Sequence, residues 1–405
     1  MIRITMAALS VLSAAVAAAD TSAKPSQYKT DMAAFLEELD NSYPFFELKG
    51  IREDWNALRP ILTERAAACS TDSEFLGVVV DAIQGLRDSH VWVRDAKAEL
   101  PPRPNRYYPG VSFMPATRGR VVVMWAGDTY AGTLKPGTVI ARIDGRDARA
   151  YLEERGMAAW PTSFSSSPQR ARLFEFRIPL QGDEGDSHTL TYLAEGEERE
   201  LTVRCDTEAR GWPHTYNLPA GLGRAGRSFY FTQLPDGAGY MYLRRVDESI
   251  HGGIRQAVDT FPDASGWIVD LRGNGGGGYD DALINQVKAM PRPVAVLIDA
   301  GCVSAGETLA RDFVRYAGAR LFGSATGGSS SSKRTWTFPS GIASVTLPTR
   351  SRWGIDGEPI EFNGIAPDVP VEAEPEDVAQ GLNTAIRKAQ EYLAEKTHLR
   401  TNAGG

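Results

Sequence analysis

The sequence predicts an α/β protein in which buried strands end in loops that lead into helices. One such unit starts with the apolar run Val294–Ile298 and, after a turn, continues into a helical pattern from Glu307 to Tyr316, with Gly318 as its stop. A second apolar run, 266–271, opens into the glycine-rich stretch 273–278. Uninterrupted runs of this kind are typical of strands that are covered on both faces.

The N-terminal part of the chain predicts a helical lobe over residues 20–100. Its periodic apolar residues indicate three helices, which are Gln27–Leu39, Ile51–Ala68 and Thr71–Leu86. The last of these leads directly to a histidine, His90.

A β-rich domain is predicted next, over 105–155, after the proline-rich stretch 101–104 breaks the chain. It contains the strand Val121–Met124, and its run 132–145 resembles the end of a PDZ domain. In PDZ-like folds a loop of backbone N–H groups holds the C-terminal carboxylate of a peptide. Here that loop would be Pro109–Phe113, and the alternative is a purely structural β-domain.

The remaining domains follow in order along the chain. Residues 156–225 are interpreted as a connecting β-region, because they contain the apparent strands Thr189–Leu193 and Glu200–Val203. Residues 226–374 form the predicted core. Residues 375–405 form a C-terminal amphipathic helix and tail.

Ser304 lies where the strand Val294–Ile298 turns into the following helix. The free N–H groups and the positive dipole end of that helix would point at an oxyanion formed beside the hydroxyl. The simpler interpretation is an N-cap, a position that serine often occupies without any chemistry. The strand, turn and helix together favour a nucleophile.

The glycine-rich stretch after residue 271 is the second candidate element of a site. Glycine lets the backbone approach a ligand closely, so an N–H from Gly275 or Gly276 can stabilise developing negative charge. The alternative is an ordinary flexible turn. A phosphate-binding loop is disfavoured, since no Gly-Lys-Ser or Gly-Lys-Thr follows.

Four motifs resemble those of the tail-specific (C-terminal processing) serine peptidases and their tricorn-like relatives. They are LRDSHV at 86–91, DLRGNGGG at 270–277, SAGE at 304–307 and GIAPD at 364–368. They occur in the order found in that family and span most of the chain. The resemblance implies a crotonase-like (ClpP-like) α/β peptidase core, together with the N-terminal helical lobe and the PDZ-like β-domain.

The two branches of this family activate the serine differently. The tail-specific branch implies a Ser–Lys dyad, but its lysine register falls on Ser329. Lys333 lies four residues later, in a serine-rich tract that we interpret as a mobile surface loop. The tricorn-like branch implies a histidine that follows a serine, and a glutamate shortly before the Gly-x-x-Pro-Asp motif. Ser89-His90 and Glu361 match that pattern.

This resemblance implies a catalytic set of Ser304, His90, Glu361 and Ser89. A serine hydroxyl needs a base to take its proton as it attacks, and an imidazole titrates in the required range. Glu361 would orient the imidazole, and Ser89 would support the glutamate. Glu358 is a rival, but its spacing to Gly364 does not match the family motif.

The oxyanion hole implied by the same resemblance consists of the N–H of Ala305 and an N–H from Gly275 or Gly276. The other histidines, His188, His214, His251 and His398, are interpreted as surface or structural residues. Cys302 is a possible rival nucleophile, although its apolar neighbour favours a buried position. Cys69, Cys205 and Cys302 are widely spaced and odd in number, so at least one thiol is free or intermolecularly bridged.

Residues 1–19 predict a secretory signal peptide, with Arg3 before an apolar stretch and three alanines before Asp20. An uncleaved anchor is the alternative. Loss of Arg3 with the signal takes the net charge from −7 to −8. This acidic balance disfavours binding to nucleic acid or anionic membranes.

We therefore expect a periplasmic or secreted serine peptidase that acts on peptides or proteins, with binding of the substrate by its C-terminus as an open alternative. No cofactor, metal or later membrane span is expected, because the sequence shows no metal-ligand spacing and no sufficiently long apolar run. The alternative is an inactive peptide- or apolar-ligand-binding protein on the same scaffold. A crotonase-type acyl-CoA enzyme is disfavoured by the predicted export.

Overall fold

A computed structural model describes residues 23–101, 106–209, 216–250 and 252–403. The predicted signal peptide, 1–19, lies outside these residues. The described chain divides into two compact units. The helical unit consists of residues 23–101, 161–164 and 331–351, and the core unit consists of residues 106–160, 165–330 and 352–403.

The helices are α1 (Ala23–Ser42), α2 (Phe46–Lys49), α3 (Arg52–Ala68), α4 (Asp72–Gly85), α5 (Ala148–Ala159), α6 (Pro168–Arg177), α7 (Gly253–Thr260), α8 (Asp281–Lys288), α9 (Ala305–Ala317), α10 (Pro375–Ala379) and α11 (Thr384–Ala403). Short 3-10 helices lie at Trp160–Thr162 and Glu248–Ile250, and an irregular turn at Ile360–Asn363.

The strands are β1 (Trp92–Arg94), β2 (Tyr107–Tyr108), β3 (Val111–Ala116), β4 (Arg120–Ala126), β5 (Val139–Ile143), β6 (Arg146–Asp147), β7 (Ser187–Ala194), β8 (Glu197–Arg204), β9 (Thr207–Glu208), β10 (Gly223–Arg224), β11 (Phe229–Gln233), β12 (Gly239–Leu243), β13 (Trp267–Asp270), β14 (Val294–Ile298), β15 (Arg320–Gly323), β16 (Ser331–Thr337), β17 (Ser344–Ser351) and β18 (Val369–Pro370).

The helical unit contains the three predicted helices, which are confirmed as α1, α3 and α4, with α2 as an unpredicted addition. Thr71 begins α4 with a capping box: its hydroxyl accepts from the Glu74 N–H, and the Glu74 carboxylate accepts from the Thr71 N–H, both at 3.2 Å. The core of this unit is aromatic. Tyr28 stacks on Phe75 with ring centroids 4.9 Å apart.

The helical unit also contains an antiparallel sheet in the order β1-β17-β16. Two features of this unit differ from the sequence expectations. The hairpin 331–351 groups with the helical lobe, although the sequence placed it within a continuous 226–374 core. The serine-rich tract is not a surface loop either, because Ser329, Ser330 and Ser331 are buried and β16 starts at Ser331.

The first sheet of the core unit runs β3-β4-β5-β7-β8, with β6 paired to β5. Its strands come from both sides of the predicted boundary at 155, since β5 pairs with β7. Residues 105–155 and the strands of the connecting region therefore form one sheet. The interpretation of 156–225 as a connecting β-region did not include helix α6.

The second sheet of the core unit has seven strands in the order β10-β11-β12-β13-β14-β15-β18. Strands β12 to β18 along this path are parallel, and β10 to β12 are antiparallel. Strand β14 is buried along its whole length. One face packs on α7, α8 and α9, and the other packs on α11. Both faces are thus covered, as the uninterrupted apolar runs predict.

None of the described helices combines the length and the apolar content that crossing a bilayer requires.

Candidate active site

Ser304 lies in the tight turn between β14 and α9, as the sequence predicts. Its backbone has φ 57° and ψ −125°, a conformation that non-glycine residues rarely adopt. Such an outlier costs about 1–3 kcal/mol and persists only where the surroundings enforce it. The surroundings are hydrogen bonds from the Ser304 N–H to the Ser329 carbonyl at 2.7 Å and to the Glu307 carboxylate at 3.1 Å.

The glycine-rich turn lies directly against this serine. Gly276 has φ +74°, and a Cβ on it would stand 2.6 Å from the Ser304 Cβ and 3.0 Å from the Ala305 nitrogen. The backbone of this turn is therefore close enough to act with the first N–H of α9. Within the described residues, the Ala305 N–H donates no hydrogen bond, so it can bind an oxyanion.

The two predicted glycine donors already have partners in this structure. The Gly275 N–H donates to the Arg244 carbonyl at 3.3 Å, and the Gly276 N–H donates to the Asn274 side-chain oxygen at 2.9 Å. The Gly275 bond is long and weak. An oxyanion could therefore draw the Gly275 N–H away at low cost.

Glu361 is fully buried in the irregular turn that precedes GIAPD. Its carboxylate accepts from the Ser330 N–H at 2.9 Å, and the Ser330 hydroxyl donates to the Ser304 carbonyl at 3.3 Å. One residue of the 326–330 loop thus contacts both Ser304 and Glu361. The rival Glu358 is exposed, and its N–H donates to Asp356.

The lysine register of the tail-specific branch is filled by a buried serine. Ser329 is 1% exposed, and its carbonyl accepts from the Ser304 N–H. Lys333 belongs to the helical unit, where it is exposed on β16 with its ammonium 5.8 Å from the centre of the Trp92 ring. In the core unit, the position at which the Ser–Lys dyad would have its lysine is therefore occupied by Ser329.

His90 and Ser89 lie in the helical unit, in the turn between α4 and β1. The His90 N–H donates to Asp88 at 2.8 Å. Asp88 is fully buried and pairs with the Lys49 ammonium at 3.0 Å, while the Tyr43 hydroxyl donates to it at 2.8 Å. This ion pair anchors the turn that carries the histidine.

The charge of Asp88 is maintained by its partners. Burial raises the pKa of this carboxyl, but the Lys49 and His90 charges and the hydrogen bonds outweigh burial, so its pKa lies below the usual value. The Asp88–Lys49 pair therefore stays ionised at neutral pH. Asp88 is part of the LRDSHV motif, but nothing in the sequence indicates that Lys49 is its partner.

The remaining histidines and cysteines do not compete for the site. His188 contacts Asp144 at 2.7 Å and His398 is exposed, while His214 and His251 lie outside the described residues. Cys302 is buried, as predicted, and burial raises the pKa of its thiol well above the usual value. A thiol that resists ionisation is a poor nucleophile. Cys69 and Cys205 are also buried free thiols.

Sequence reasoning missed Glu307 as a site residue. It is fully buried beside Ser304 and accepts four hydrogen bonds. The signal was available, because Ser304 and Glu307 have the Ser-x-x-Glu spacing of a capping box.

A cavity of about 300 Å³ lies within the core unit, at the carboxyl end of β14. Its lining includes Met114 on β3, Ile298 at the end of β14, and the guanidinium-bearing residues Arg149, Arg172 and Arg177. Carboxyl ends of parallel strands are a common place for ligands. The lining also includes Glu153, Asp299 and Glu372, and Arg149 is ion-paired with Glu153 and Glu372. An apolar wall with polar groups of both charges suits a ligand that has an apolar part and a polar end.

Residues 278–371 match the profile described as peptidase family S41. This region includes Ser304, Glu361 and the GIAPD motif. No curated protein matches the chain in sequence.

Solved structures resemble the chain over most of its length. Mature CPAF has a TM-score of 0.57 and 14% identity, covering 92% of this chain and 96% of that chain. Mature CPAF complexed with lactacystin has a TM-score of 0.55 and 15% identity, covering 93% of this chain and 98% of that chain. The tricorn protease has a TM-score of 0.45 and 19% identity, covering 92% of this chain but 37% of its own.

At these identities the CPAF structures show a shared fold, while the family profile covers the segment with the candidate nucleophile. The segment 278–371 therefore matches peptidase family S41, which agrees with the serine peptidases that the sequence motifs resemble.

Proposed function

We propose that this chain hydrolyses peptide bonds through an acyl-enzyme, with Ser304 as nucleophile, His90 as general base and Glu361 orienting the imidazole. The observation that carries the proposal is the backbone of Ser304, which is held in a rare conformation at the N-terminus of α9. This turn is the strained elbow that exposes a nucleophilic hydroxyl beside backbone N–H groups.

In the proposed mechanism, the Ser304 hydroxyl oxygen attacks the scissile carbonyl carbon while His90 takes its proton. The oxyanion is held by the Ala305 N–H and by an N–H of the Gly275–Gly276 turn, each worth about 3–4 kcal/mol. When the tetrahedral intermediate collapses, His90 protonates the leaving amine and Ser304 keeps the acyl group. Water then repeats the sequence and releases the acid.

Glu361 and Ser89 complete this arrangement. A buried carboxylate on the second ring nitrogen selects the tautomer of His90 and stabilises the imidazolium that forms. Glu361 is supported in this role by its burial and by the backbone hydrogen bond that it accepts from Ser330, whereas Glu358 is exposed. Ser89 supplies a hydroxyl to the glutamate.

The test is active-site labelling with a fluorophosphonate probe, combined with hydrolysis of a fluorogenic peptide library. The unmodified protein should be labelled on Ser304, and Ser304→Ala should lose both labelling and turnover while its unfolding transition is unchanged. Cys302→Ala is the matched control, because it removes the rival nucleophile two residues away and should retain labelling. Full turnover in Ser304→Ala would refute the assignment, and a folded protein without turnover or labelling would indicate a binding protein.

We propose further that the core is crotonase-like and that the β3–β8 sheet is a PDZ-like domain which holds the C-terminus of the substrate. Support comes from the cavity in the core unit, whose lining includes Arg172 and, on β3, Met114. The expectation of a carboxylate loop at Pro109–Phe113 is corrected, because residues 111–113 belong to strand β3. A peptide with a free C-terminus should bind more tightly than its C-terminal amide, and Arg172→Gln should remove the difference. Equal affinity of both peptides in fluorescence anisotropy would reject C-terminal recognition.

We propose finally that the protein is exported, which rests on the signal-like residues 1–19. Expression of the full chain in a Gram-negative host should give a periplasmic protein whose N-terminus is Asp20. An intact Met1 in the cytoplasmic fraction would contradict export.

A further inference from the structure

Glu307 is a buried carboxylate surrounded by hydrogen-bond donors. One oxygen accepts from the Thr326 hydroxyl at 2.6 Å and from the Gly328 N–H at 2.8 Å. The other oxygen accepts from the Ser304 N–H and from the Ser329 N–H, both at 3.1 Å. The side chain has no solvent exposure, so these four donors replace water.

These donors belong to separate segments of the candidate site. Ser304 is the proposed nucleophile. Thr326, Gly328 and Ser329 belong to the 326–330 loop, and the last residue of this loop, Ser330, donates its N–H to Glu361. A single carboxylate therefore joins the nucleophile turn to the loop that contacts the proposed orienting glutamate.

A third segment is attached through Thr326. The Thr326 hydroxyl, which donates to Glu307, also accepts from the Ile365 N–H at 2.7 Å. The Phe362 N–H also donates to the Gly328 carbonyl at 2.7 Å. The turn that carries Glu361 is thus fixed to the same loop.

Three of the four partners of Glu307 are backbone N–H groups, which can only donate. The Thr326 hydroxyl can donate or accept, so a protonated Glu307 could direct its hydrogen only at that group. The three N–H groups would then donate to a neutral carboxyl, which is a weaker acceptor than a carboxylate. The geometry therefore favours the ionised form.

The electrostatic surroundings make protonation accessible. Burial raises the pKa of Glu307 to about 7, although the hydrogen bonds from Thr326, Gly328, Ser329 and Ser304 oppose this rise. The charged or titratable groups that face it in the core unit are Arg170 on α6 and the Cys302 thiol. Arg170 also donates to the Ala300 carbonyl at 3.1 Å.

We propose that Glu307 is a positioning residue that holds Ser304 and the 326–330 loop in their working arrangement only when it is ionised, so that its protonation switches the site off. This inference rests on the proposed function of Ser304. Glu307 does not touch the substrate, and it acts through the backbone of the nucleophile turn.

The direction of the pH effects follows from the raised pKa. As the pH falls through about 7, Glu307 takes up a proton in the folded protein and activity falls. Folding stability changes in the opposite sense: between the usual pKa of 4.5 and about 7, the folded state binds the proton and the unfolded state does not. This contribution to stability is therefore fully present at low pH and is lost as the pH rises to about 7.

The experiment is the pH dependence of kcat/KM between pH 5 and 9 for the full chain, with Glu307→Gln and with Glu358→Gln as the matched control on an exposed glutamate. In the unmodified protein, protonation of both His90 and Glu307 should give an acid limb whose logarithmic slope approaches about two. Glu307→Gln should lower kcat at pH 8 by about tenfold to hundredfold, because the nucleophile is misplaced. Its acid limb should fall to a slope of about one, and Glu358→Gln should match the unmodified protein.

A second variant covers the case in which Glu307→Gln does not fold. Thr326→Val keeps the carboxylate but removes one donor that favours its ionised form, so the upper part of the acid limb should move to higher pH. Unfolding temperatures measured across the same pH range should show the opposite trend to activity in the unmodified protein. An acid limb of unit slope in the unmodified protein, or a Thr326→Val profile that does not move, would overturn the proposal. Failure of the proposed function differs from both outcomes, because the unmodified protein would then neither hydrolyse peptides nor take the probe at any pH.

Discussion

Gly276→Ala should inactivate the protein by displacing the nucleophile turn. The new Cβ would lie 2.6 Å from the Ser304 Cβ, 2.9 Å from the Val303 carbonyl oxygen and 3.0 Å from the Ala305 nitrogen. Carbon atoms that are not bonded normally stay about 3.5 Å apart or more, so one side must move by about 0.9 Å. Two of the three obstacles are backbone atoms, which cannot rotate away.

The expected magnitude has two parts. A side chain at φ +74° costs about 1–2 kcal/mol of stability, because alanine is strained in the left-handed region. A displacement of about 1 Å at the reacting group can lower kcat/KM about hundredfold, which is about 2.7 kcal/mol in the barrier. Activity should therefore fall far more than the loss of folded protein explains.

The assay is kcat/KM on a fluorogenic peptide, together with the rate of fluorophosphonate labelling and a urea unfolding curve. Gly278→Ala is the matched control in the same loop, because a Cβ there meets nothing within 4 Å and no positive φ is involved. It should retain activity. If Gly276→Ala were folded and as active as Gly278→Ala, the close approach of this turn to Ser304 would have no catalytic meaning.

Three further predictions concern the other groups. His90→Ala should remove nearly all peptide hydrolysis while Lys333→Ala leaves most of it, and the reverse result would identify a Ser–Lys dyad. Glu361→Gln should lower kcat by orders of magnitude through misorientation of the imidazole, whereas Glu358→Gln should have little effect, and equal rates for both variants would remove Glu361 from the triad. Lys49→Met should lower the free energy of unfolding by about 3–5 kcal/mol in urea titrations near pH 7, because it leaves its buried carboxylate partner unpaired. Because that carboxylate titrates below its usual pKa despite its burial, the stabilisation should be complete above about pH 4 and should decline as the pH falls further, and a stability loss that stays constant in acid would contradict the ion-pair explanation.

Local sequence patterns were sufficient where one segment determines its own structure. The uninterrupted apolar run 294–298 became a fully buried parallel strand, and Gly318 ends α9 in the left-handed conformation, with φ 64°. Thr71 and Glu74 form the capping box that begins α4. The two helix-end outcomes depend on contacts within a few residues, and the strand is indicated by its own apolar run.

Long-range pairing could not be predicted in the same way. The hairpin 331–351 packs with the helical lobe because β17 pairs with β1, a partner more than two hundred residues earlier. Strands β5 and β7 are neighbours in the sheet although helices α5 and α6 and a predicted domain boundary separate them along the chain. Helix α6 was missed because its sequence, PQRARLFEFR, is strongly polar and lacks a clear apolar stripe.

The candidate site was predictable to the extent that motifs carry it. Ser304, Gly276 and Glu361 were identified from motifs, and in the core unit the 326–330 loop links the first and the last of them. Glu307 was missed because its role depends on burial and on donors from residues about twenty positions away. The Lys49 partner of Asp88 was missed for the same reason.

The N-cap alternative for Ser304 can be judged against other caps in the same chain. Ser167, Thr71 and Asp280 cap their helices with extended backbones, at φ −147°, −129° and −142°, and each side chain accepts a backbone N–H of its helix. Extended geometry is what an N-cap needs. Ser304 instead has φ 57°, a strained conformation that capping does not require. Since Glu307 and the Ser329 carbonyl both hold the Ser304 N–H, the chain uses hydrogen bonds to keep the serine in a conformation that would otherwise relax. Ser304 and Glu307 have the pairing of a capping box, but the positive φ of Ser304 is not part of that motif and is consistent with the proposed nucleophile.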